Sequence, residues 1–117
     1  MIASGNQIRT DDAHPIFNIE TGERINMPSS ISIGNHVWIG IRAVILGGTT
    51  IGDGSVIGMG SIVKDQFPNN CILVGTPAKI VRRDVAWERP HLTLSKPFYK
   101  PDASFVKKSP YWNKTIE

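Results

Sequence analysis

The sequence predicts an all-β protein whose short strands wind into stacked coils, and two observations support this prediction. First, residues 33–68 repeat with a period of six, and each of the six blocks begins with Ile or Val. Second, the chain of 117 residues contains 11 Gly and 8 Pro, which is typical of many turns and few long helices. A chain of this length forms one domain with a modest core.

The six blocks carry the same kind of residue at the same position. Large aliphatic residues occupy the first position: Ile33, Ile39, Ile45, Ile51, Ile57 and Val63. Mostly small residues occupy the fifth position: Val37, Ala43, Thr49, Ser55, Ser61 and Phe67. A period of six does not keep one face of an α-helix apolar, but it suits short strands joined by turns. Each turn would then send one large side chain into the core, and the small residues would leave room for it.

Glycine occupies the second position in four of the six blocks. It permits either unusual dihedral angles or a close approach of two backbones at the corners of a coil. Stacked coils bury a continuous apolar column, while backbone groups pair with the coils above and below. Residues 33–68 are therefore predicted to form about two full coils.

The segments that flank the repeats differ from them. Residues 5–31 lack the period and are predicted to form a loop that projects from the coils. The register is expected to slip after residue 68 and to resume loosely at residues 74–83. We predict a β-helix domain over residues 1–83 and a C-terminal extension over residues 84–117.

The predicted C-terminal extension is rich in Pro, Lys and aromatic side chains, so it is too apolar to be simply disordered. Its aromatic residues are Trp87, Phe98, Tyr99, Phe105, Tyr111 and Trp112. We expect it to pack back on the coils or on a neighbouring subunit. Residues 79–117 carry nine basic and four acidic side chains, whereas residues 1–78 carry four basic and six acidic ones. A basic end suits phosphates or an acidic substrate, and the alternative is a solvated tail. It has no dense Lys/Arg run of the kind that binds nucleic acid.

Composition also bears on location. No apolar run reaches the roughly 18–20 residues that span a membrane, and the first residues lack the pattern of a secretion signal. The single Cys71 cannot form an internal disulfide and is interpreted as structural. We therefore expect a cytoplasmic protein without a membrane span.

The repeat pattern resembles that of the hexapeptide-repeat acyltransferases, and within them the sugar and polysaccharide O-acetyltransferases. The resemblance implies a left-handed parallel β-helix with three blocks per triangular coil, although crossover connections are usually right-handed. It also implies acetyl-CoA as co-substrate, a carbohydrate hydroxyl as acceptor, and a homotrimer with active sites between subunits. Members of the family normally have further coils before the loop. An inactive or truncated scaffold or binding module is therefore the alternative hypothesis.

Acetyl transfer from a thioester to an alcohol needs a base, stabilisation of an oxyanion, and two substrates held together. Histidine suits the first role, because its unperturbed pKa is about 6.5. The stretch from Asp11 to Pro15, with the sequence Asp-Asp-Ala-His-Pro, is similar to the catalytic loop of sugar and polysaccharide O-acetyltransferases. The resemblance implies that His14 is the general base and that Asp12 orients it, with Asp11 standing where the family usually has Ser. A plain surface role for His14 is the alternative.

Further site residues follow from the same resemblance. Trp38 follows His14 by 24 residues and would stand at an outward corner. There it would form one wall of the active site and offer its indole N–H as a hydrogen-bond donor. The alternative is an aromatic residue at a subunit interface. His36 is expected to be a surface or interface residue. The family's Gly-x-Pro-Ala-Lys segment stands here at residues 75–79. The residues expected to bind coenzyme A, through backbone along a groove or through cationic side chains, are Gly40, Ile41, Met59, Gly60, Lys64, Lys79 and Arg82.

Other classes of β-helix protein fit the sequence less well. Hydratases similar to γ-type carbonic anhydrases need three histidines on a zinc ion, whereas His36 is the only histidine within the repeats. No metal is therefore expected. The helical domain of serine acetyltransferases and the nucleotide-binding domain of nucleotidyltransferases are also not expected here.

Overall fold

A computed structural model describes residues 1–91 and 102–117, and in this part of the chain ten short strands form three sheets. The strands are β1 (Gln7–Arg9), β2 (Ser32–Ile33), β3 (Trp38–Ile39), β4 (Val44–Leu46), β5 (Thr50–Ile51), β6 (Val56–Ile57), β7 (Ile62–Val63), β8 (Gln66–Phe67), β9 (Ile72–Gly75) and β10 (Ala78–Arg82). A single 3-10 turn covers Ala103–Phe105. Residues 92–101, which include Phe98 and Tyr99 of the predicted extension, lie outside the described residues. No helix of the described segments is long and apolar enough to cross a lipid bilayer.

Each coil contributes one strand to each of three faces, so the cross-section is triangular. Sheet 1 has the order β1-β4-β7, sheet 2 the order β3-β6-β9-β10, and sheet 3 the order β2-β5-β8. The ladders between coils are parallel, and among the ten strands of the described residues only β9 and β10 pair in an antiparallel way. This arrangement confirms the predicted parallel β-helix.

The first-position side chains form the core, as the period of six predicts. Ile39 pairs with Ile57 in the next coil and Ile45 pairs with Val63, and all four side chains are buried. Burial of each such side chain contributes roughly 1.5–3 kcal/mol. The small fifth-position side chains are buried beside them. Among these, the Thr49 hydroxyl donates to the carbonyls of Leu46 and Val63, so its burial leaves no polar atom unpaired.

Two positions of the block are constrained by the coil, and for different reasons. At the second position a Cβ on Gly40 would lie 2.7 Å from the carbonyl oxygen of Ile57, and one on Gly52 would lie 2.4 Å from the amide nitrogen of Asn69. Glycine is therefore required there by the close approach of the next coil. Positive φ angles occur instead at the fourth position, at His36, Arg42, Gly48, Gly54 and Gly60.

The repeat extends further than the sequence analysis predicted. Ile2 forms a bridge with Ile39, and Gly5 has a φ of +74°, so residues 2–7 form an additional block. At the other end, Phe67 pairs with Ile51 and thus occupies a first position. The prediction that Phe67 is a fifth-position residue was wrong, because the sixth block contains only four residues. The register slips within residues 64–65, before residue 68 and not after it.

The three corners of the triangle have different surroundings. We call the corner between sheets 2 and 1 the open corner; it comprises residues 3–6, 40–43 and 58–61. We call the corner between sheets 1 and 3 the loop corner; it comprises residues 47–49 and 64–65 and the insertion between β1 and β2. We call the corner between sheets 3 and 2 the covered corner; it comprises residues 34–37, 52–55 and 68–71.

The insertion at the loop corner is shorter than the predicted loop of residues 5–31. Its first residues form β1, which pairs with β4. The amide of Ser29 donates to the carbonyl of Thr10 at 3.0 Å and closes the base of the projecting part. This projecting part, residues 11–28, is called the His14 loop below.

The C-terminal extension packs on the covered corner of its own chain, which is one of the two predicted alternatives. Asn70, fully buried with a φ of +52°, joins two segments of the extension. Its amide nitrogen donates to the carbonyl of Val85 at 3.0 Å and to that of Tyr111 at 2.5 Å. Its backbone carbonyl accepts hydrogen bonds from the Thr115 hydroxyl and from the Val85 amide. The side chain and carbonyl of one residue therefore hold both segments against the coils.

His36 lies beneath the same extension. Its ring stacks between those of Trp87 and Tyr111, with centroid separations of 4.2 and 5.1 Å. The imidazole Nε2 lies 2.9 Å from the carbonyl oxygen of Trp87, and the Trp87 indole donates to the carbonyl of His36. The side chain of His36 is only 13% exposed, so the prediction of a surface residue was wrong.

Cys71 is buried at the covered corner, and its thiol lies beside the Ser55 hydroxyl and the Pro68 carbonyl. Burial raises the pKa of this thiol, which disfavours the reactive thiolate. The prediction that Cys71 is structural is confirmed.

Candidate active site

The His14 loop is ordered by its own hydrogen bonds. Its outer half is a short hairpin, in which Phe17 forms an antiparallel bridge with Arg24 and the Ile25 amide donates to the carbonyl of Ile16. Several apolar side chains of the loop are exposed: Ile16, Phe17, Ile19, Ile25 and Met27. The hairpin therefore projects an apolar surface away from the coils.

Asn26 ties the segment that contains His14 to this hairpin. Its amide nitrogen donates to the Asp12 carboxylate at 3.0 Å and to the carbonyl of His14 at 2.8 Å. Its side-chain oxygen accepts the amide of Ile16 and Nε of Arg24. The sequence analysis missed Asn26, because its partners lie up to 14 residues away and no spacing pattern indicates them.

The backbone around His14 is held in a sparsely populated conformation. Ala13 has a φ of +69°, and its amide donates to the Asp11 carboxylate at 2.9 Å. The amide of His14 in turn donates to the carbonyl of Asp12. Strain of this kind persists where the surroundings fix it and is common at functional sites. The result is an exposed His14 side chain on a fixed backbone.

The Asp12 carboxylate, which is expected to orient His14, hydrogen-bonds to a different residue. Within the described residues, no hydrogen bond joins it to the His14 ring, and it accepts from Asn26 instead. Asp12 thus orders the backbone that carries His14. It also faces the coils, where it lines a cavity of about 290 Å³ at the loop corner with Thr10, Met27, Ser29, Leu46, Gly47 and Lys64.

A second, more apolar groove lies at the open corner, on the outer surface of sheet 2. Its volume is about 350 Å³, and its lining includes Ala3, Trp38, Gly40, Ile41, Val56, Ile57, Gly58 and Met59. Gly60 adjoins it, because its amide donates to the carbonyl of Ile41 at 2.8 Å. Trp38 lies in strand β3, so the prediction that it stands at an outward corner was wrong. It is 39% exposed and packs at a tilt on Trp87.

The two predicted phosphate-binding residues lie further along sheet 2. Lys79 and Arg82 belong to β10, and both are exposed. Lys79 stands opposite Val74, whose side chain closely approaches Gly58 at the end of the groove. Lys79 therefore belongs to the strand beyond the end of the groove.

The predicted site residues thus fall into two groups within one chain. Trp38, Gly40, Ile41, Met59 and Gly60 come together at the open corner, with Lys79 and Arg82 beyond them. Asp12 and Lys64 come together at the loop corner, where His14 projects. Lys64 is therefore separated from the other predicted cofactor residues of its chain. No group of three or more His, Cys, Asp or Glu side chains in residues 1–91 and 102–117 is arranged to hold a metal ion.

The triangular coil, the six-residue blocks and the insertion at one corner define a hexapeptide-repeat β-helix protein. Residues 30–65 match the family described as bacterial transferase hexapeptide (six repeats). The chain is 45% identical over 89 residues to a polysialic acid O-acetyltransferase of Escherichia coli O1:K1 / APEC, covering 76% of this chain and 29% of that one. It is 46% identical over 71 residues to a galactoside O-acetyltransferase of Escherichia coli K12, covering 59% of this chain and 34% of that one.

A solved structure of the polysialic acid O-acetyltransferase OatWY superimposes with a TM-score of 0.73 and 40% identity, covering 80% of this chain and 45% of that one. Residues 30–65 carry the hexapeptide repeats of that family, and the coil is a left-handed parallel β-helix like those of the solved O-acetyltransferases. It spans about a third of the length of the curated relatives it matches.

Proposed function

We propose that the protein is an O-acetyltransferase that moves an acetyl group from acetyl-CoA to a hydroxyl of a carbohydrate. The observation that carries the proposal is the His14 loop, which presents an exposed histidine on a backbone fixed by Asn26. The relatives named as sugar O-acetyltransferases support this choice of reaction and acceptor.

In the proposed reaction, the His14 imidazole accepts the proton of the acceptor hydroxyl as the oxygen attacks the thioester carbonyl. The carbon–oxygen bond forms and the carbon–sulfur bond breaks, so coenzyme A leaves as the thiolate and takes a proton from the imidazolium. Such general base catalysis contributes typically 10²–10⁴-fold. Asn26 and Asp12 act as positioning residues, because they hold the backbone that carries the base.

The open corner is the proposed binding site for acetyl-CoA. Its groove is lined by small and apolar residues, which include Gly40 and Gly58, and the exposed Gly60 adjoins it. An extended pantetheine arm fits such a groove, and Lys79 and Arg82 supply cations for the phosphates beyond it. Trp38 would form one wall of the site and offer its indole N–H.

The separation of the two groups of residues leads us to propose that the active site forms between copies of the chain in a homotrimer. The His14 loop of one copy would face the open corner of the next. The exposed apolar side chains of the loop, such as Phe17 and Ile19, support this assembly, because a neighbouring copy would bury them. Lys64 would then contribute from the loop corner to the same intersubunit cleft.

The proposal is tested by measuring thiol release from acetyl-CoA with sialic acid oligomers, galactosides and maltose as acceptors. His14→Ala is expected to lower kcat at least 100-fold. His91→Ala is the matched control, because His91 is also an exposed histidine but lies outside the site. Its turnover should equal that of the parent chain. A folded, trimeric parent without turnover on any acceptor would instead support the scaffold hypothesis.

The intersubunit arrangement is tested by mixing two inactive variants, His14→Ala and Trp38→Ala, and reassembling them. If each site takes its loop and its groove from different copies, random mixing restores about a quarter of the sites. If both groups belong to one copy, no site is restored.

We further place the reaction in the cytoplasm, which fits the buried free thiol of Cys71.

A further inference from the structure

The covered corner carries a cleft that the proposed reaction does not use. Its volume is about 220 Å³, and two segments of the extension line it: Asp84, Val85 and Ala86 on one side, and Trp112, Asn113 and Lys114 on the other. The cleft lies at the opposite edge of sheet 2 from the proposed acetyl-CoA groove. Its size suits a single small ring better than a larger ligand.

The two walls of this cleft are locked together by reciprocal hydrogen bonds. The Asp84 amide donates to the Thr115 hydroxyl, and the Thr115 amide donates to the Asp84 carboxylate, both at 2.9 Å. The side-chain amide of Asn69, on the coil, donates to the carbonyl of Lys114 at 2.8 Å. A ligand would therefore meet a preformed cleft and would not have to order it.

Trp112 gives the cleft an aromatic surface that is fixed in orientation. Its indole N–H donates to the Glu88 carboxylate at 3.0 Å, and the Lys108 ammonium lies 4.5 Å from the ring centroid. The side chain is nevertheless 38% exposed. A rigid, partly exposed Trp offers a flat apolar surface at low cost in conformational entropy, and the C–H face of a pyranose ring packs on such a surface.

Charged groups stand beside the ring. A hydrogen bond from the Thr115 backbone, together with the Lys114 ammonium 3.6 Å away, holds the pKa of Asp84 below its usual range. The carboxylate is thus an acceptor for hydroxyl groups, and the exposed ammonium of Lys114 is a donor. An aromatic face flanked by an acceptor and a donor matches the chemistry of a sugar ring, which has an apolar face and a polar edge.

We propose that this cleft is a saccharide subsite, which holds one sugar unit of an oligomeric acceptor away from the unit that is acetylated. The inference rests on the proposed function in one respect, namely that the acceptor is a carbohydrate. The subsite adds a second contact for long acceptors and none for single sugars. Long acceptors should therefore bind more tightly than short ones.

Direct binding tests the subsite without any need for turnover. The three indole N–H resonances of the chain labelled with ¹⁵N-Trp are followed by NMR while sialic acid oligomers or maltooligosaccharides are added. The Trp112 resonance, assigned with Trp112→Phe, should shift and saturate. Trp87, whose indole donates to His36, is the internal control and should not move. If the Trp112 resonance stays in place at millimolar oligosaccharide, the subsite does not exist.

Kinetics then separate this subsite from the catalytic site. Trp112→Ala should raise the KM for an oligomeric acceptor about tenfold. The KM for acetyl-CoA, the KM for a monosaccharide acceptor and the kcat should not change. Lys107→Ala is the control, because Lys107 is exposed nearby but does not line the cleft. An equal rise in KM for monosaccharide and oligomer would overturn the proposal. If the parent chain turned over no sugar, the proposed function would fail while the NMR titration still decided the subsite.

Discussion

The open corner and the covered corner are built from the same six-residue block and differ in what lies on them. At the covered corner, Asn70 and His36 are beneath the C-terminal extension, and the side chains of both have hydrogen-bond partners in it. At the open corner, Ile41 and Met59 are exposed, and a Cβ on Gly60 would meet no atom within 4 Å. The block therefore sets the coil, and the residues outside the block set what each corner does.

This difference separates stability from binding. Substitutions at the covered corner should remove packing and hydrogen bonds and should lower the free energy of unfolding. Substitutions at the open corner should leave the fold intact and should alter ligand binding. Four predictions test this division, beginning with the largest expected effect.

Asn70→Ala should have the largest effect, because it removes two hydrogen bonds to carbonyls of the extension and places Ala at a φ of +52°. We expect the free energy of unfolding to fall by roughly 2–4 kcal/mol, as measured by urea denaturation at fixed protein concentration. Asn35→Ala is the control, since Asn35 is exposed at the same corner, and it should change stability by less than about 0.5 kcal/mol. Equal effects of the two substitutions would contradict the role given to Asn70.

Gly54→Ala and Gly60→Ala form a matched pair, because both residues are fourth in their blocks with φ near +70°. The backbone strain of about 1 kcal/mol is common to both. Only at Gly54 does the new Cβ meet other atoms: it would lie 2.8 Å from Nδ2 of Asn70, which holds the extension, and 3.2 Å from the Tyr111 carbonyl oxygen in the extension. Gly54→Ala should therefore cost roughly 1–2 kcal/mol more in unfolding free energy. If the two variants were equally stable, the extension would not pack against the corner that contains Gly54.

Met59→Ala should affect binding and leave stability unchanged. Met59 is 74% exposed in the groove, so its removal creates no cavity. We expect the KM for acetyl-CoA to rise severalfold, the equivalent of about 1 kcal/mol of lost contact. Ile116→Ala is the control, because Ile116 is 76% exposed in the extension; its KM for acetyl-CoA should match the parent value. A destabilised Met59→Ala variant with a normal KM for acetyl-CoA would show that Met59 contributes to stability and not to binding.

Glu88 should give the covered corner a weak dependence on pH. Hydrogen bonds from Ser109, and one from the Trp112 indole, lower the pKa of Glu88 to about 2 from its ordinary 4.5. A carboxyl group with a depressed pKa stabilises the fold above its unfolded pKa, and this contribution is lost as the pH falls through the folded value. Between about pH 4.5 and pH 2, Trp fluorescence should report loosening of the extension. Glu88→Gln should reduce that change, and an identical profile in the variant would show that other groups cause it.

The coil could be predicted from the sequence, because each aliphatic first-position residue and each small fifth-position residue has a fixed place in the core. The prediction missed the block at residues 2–7, since a single block carries no visible period. It misplaced Phe67, since counting in sixes assumes that every corner has the same length. Phe67 pairs with Ile51 because strand β8 aligns with strand β5, although the corner before it has only two residues.

The site was predicted unevenly. His14 and Trp38 were identified by the likeness of their local segments to those of known enzymes, but their separation into two groups depends on which corner each segment reaches. Asn26, His36 and Trp112 act through partners 10 to 51 residues away, so no local pattern indicates them. Predicting such contacts requires knowledge of the three-dimensional path of the chain.

The loop corner holds both changes in length that occur in the coil: the long insertion after Thr10 and the two-residue connection at Lys64 and Asp65. Neither change disturbs the ladders, because the strands before and after each one keep their partners. For protein engineering, this corner is thus a permissive site. A peptide tag or a foreign recognition loop inserted beside Gly48 would leave the strand pairing intact, although it would lie next to the cavity lined by Asp12 and Lys64. The same insertion at the other two corners would displace either the proposed ligand groove or the C-terminal extension.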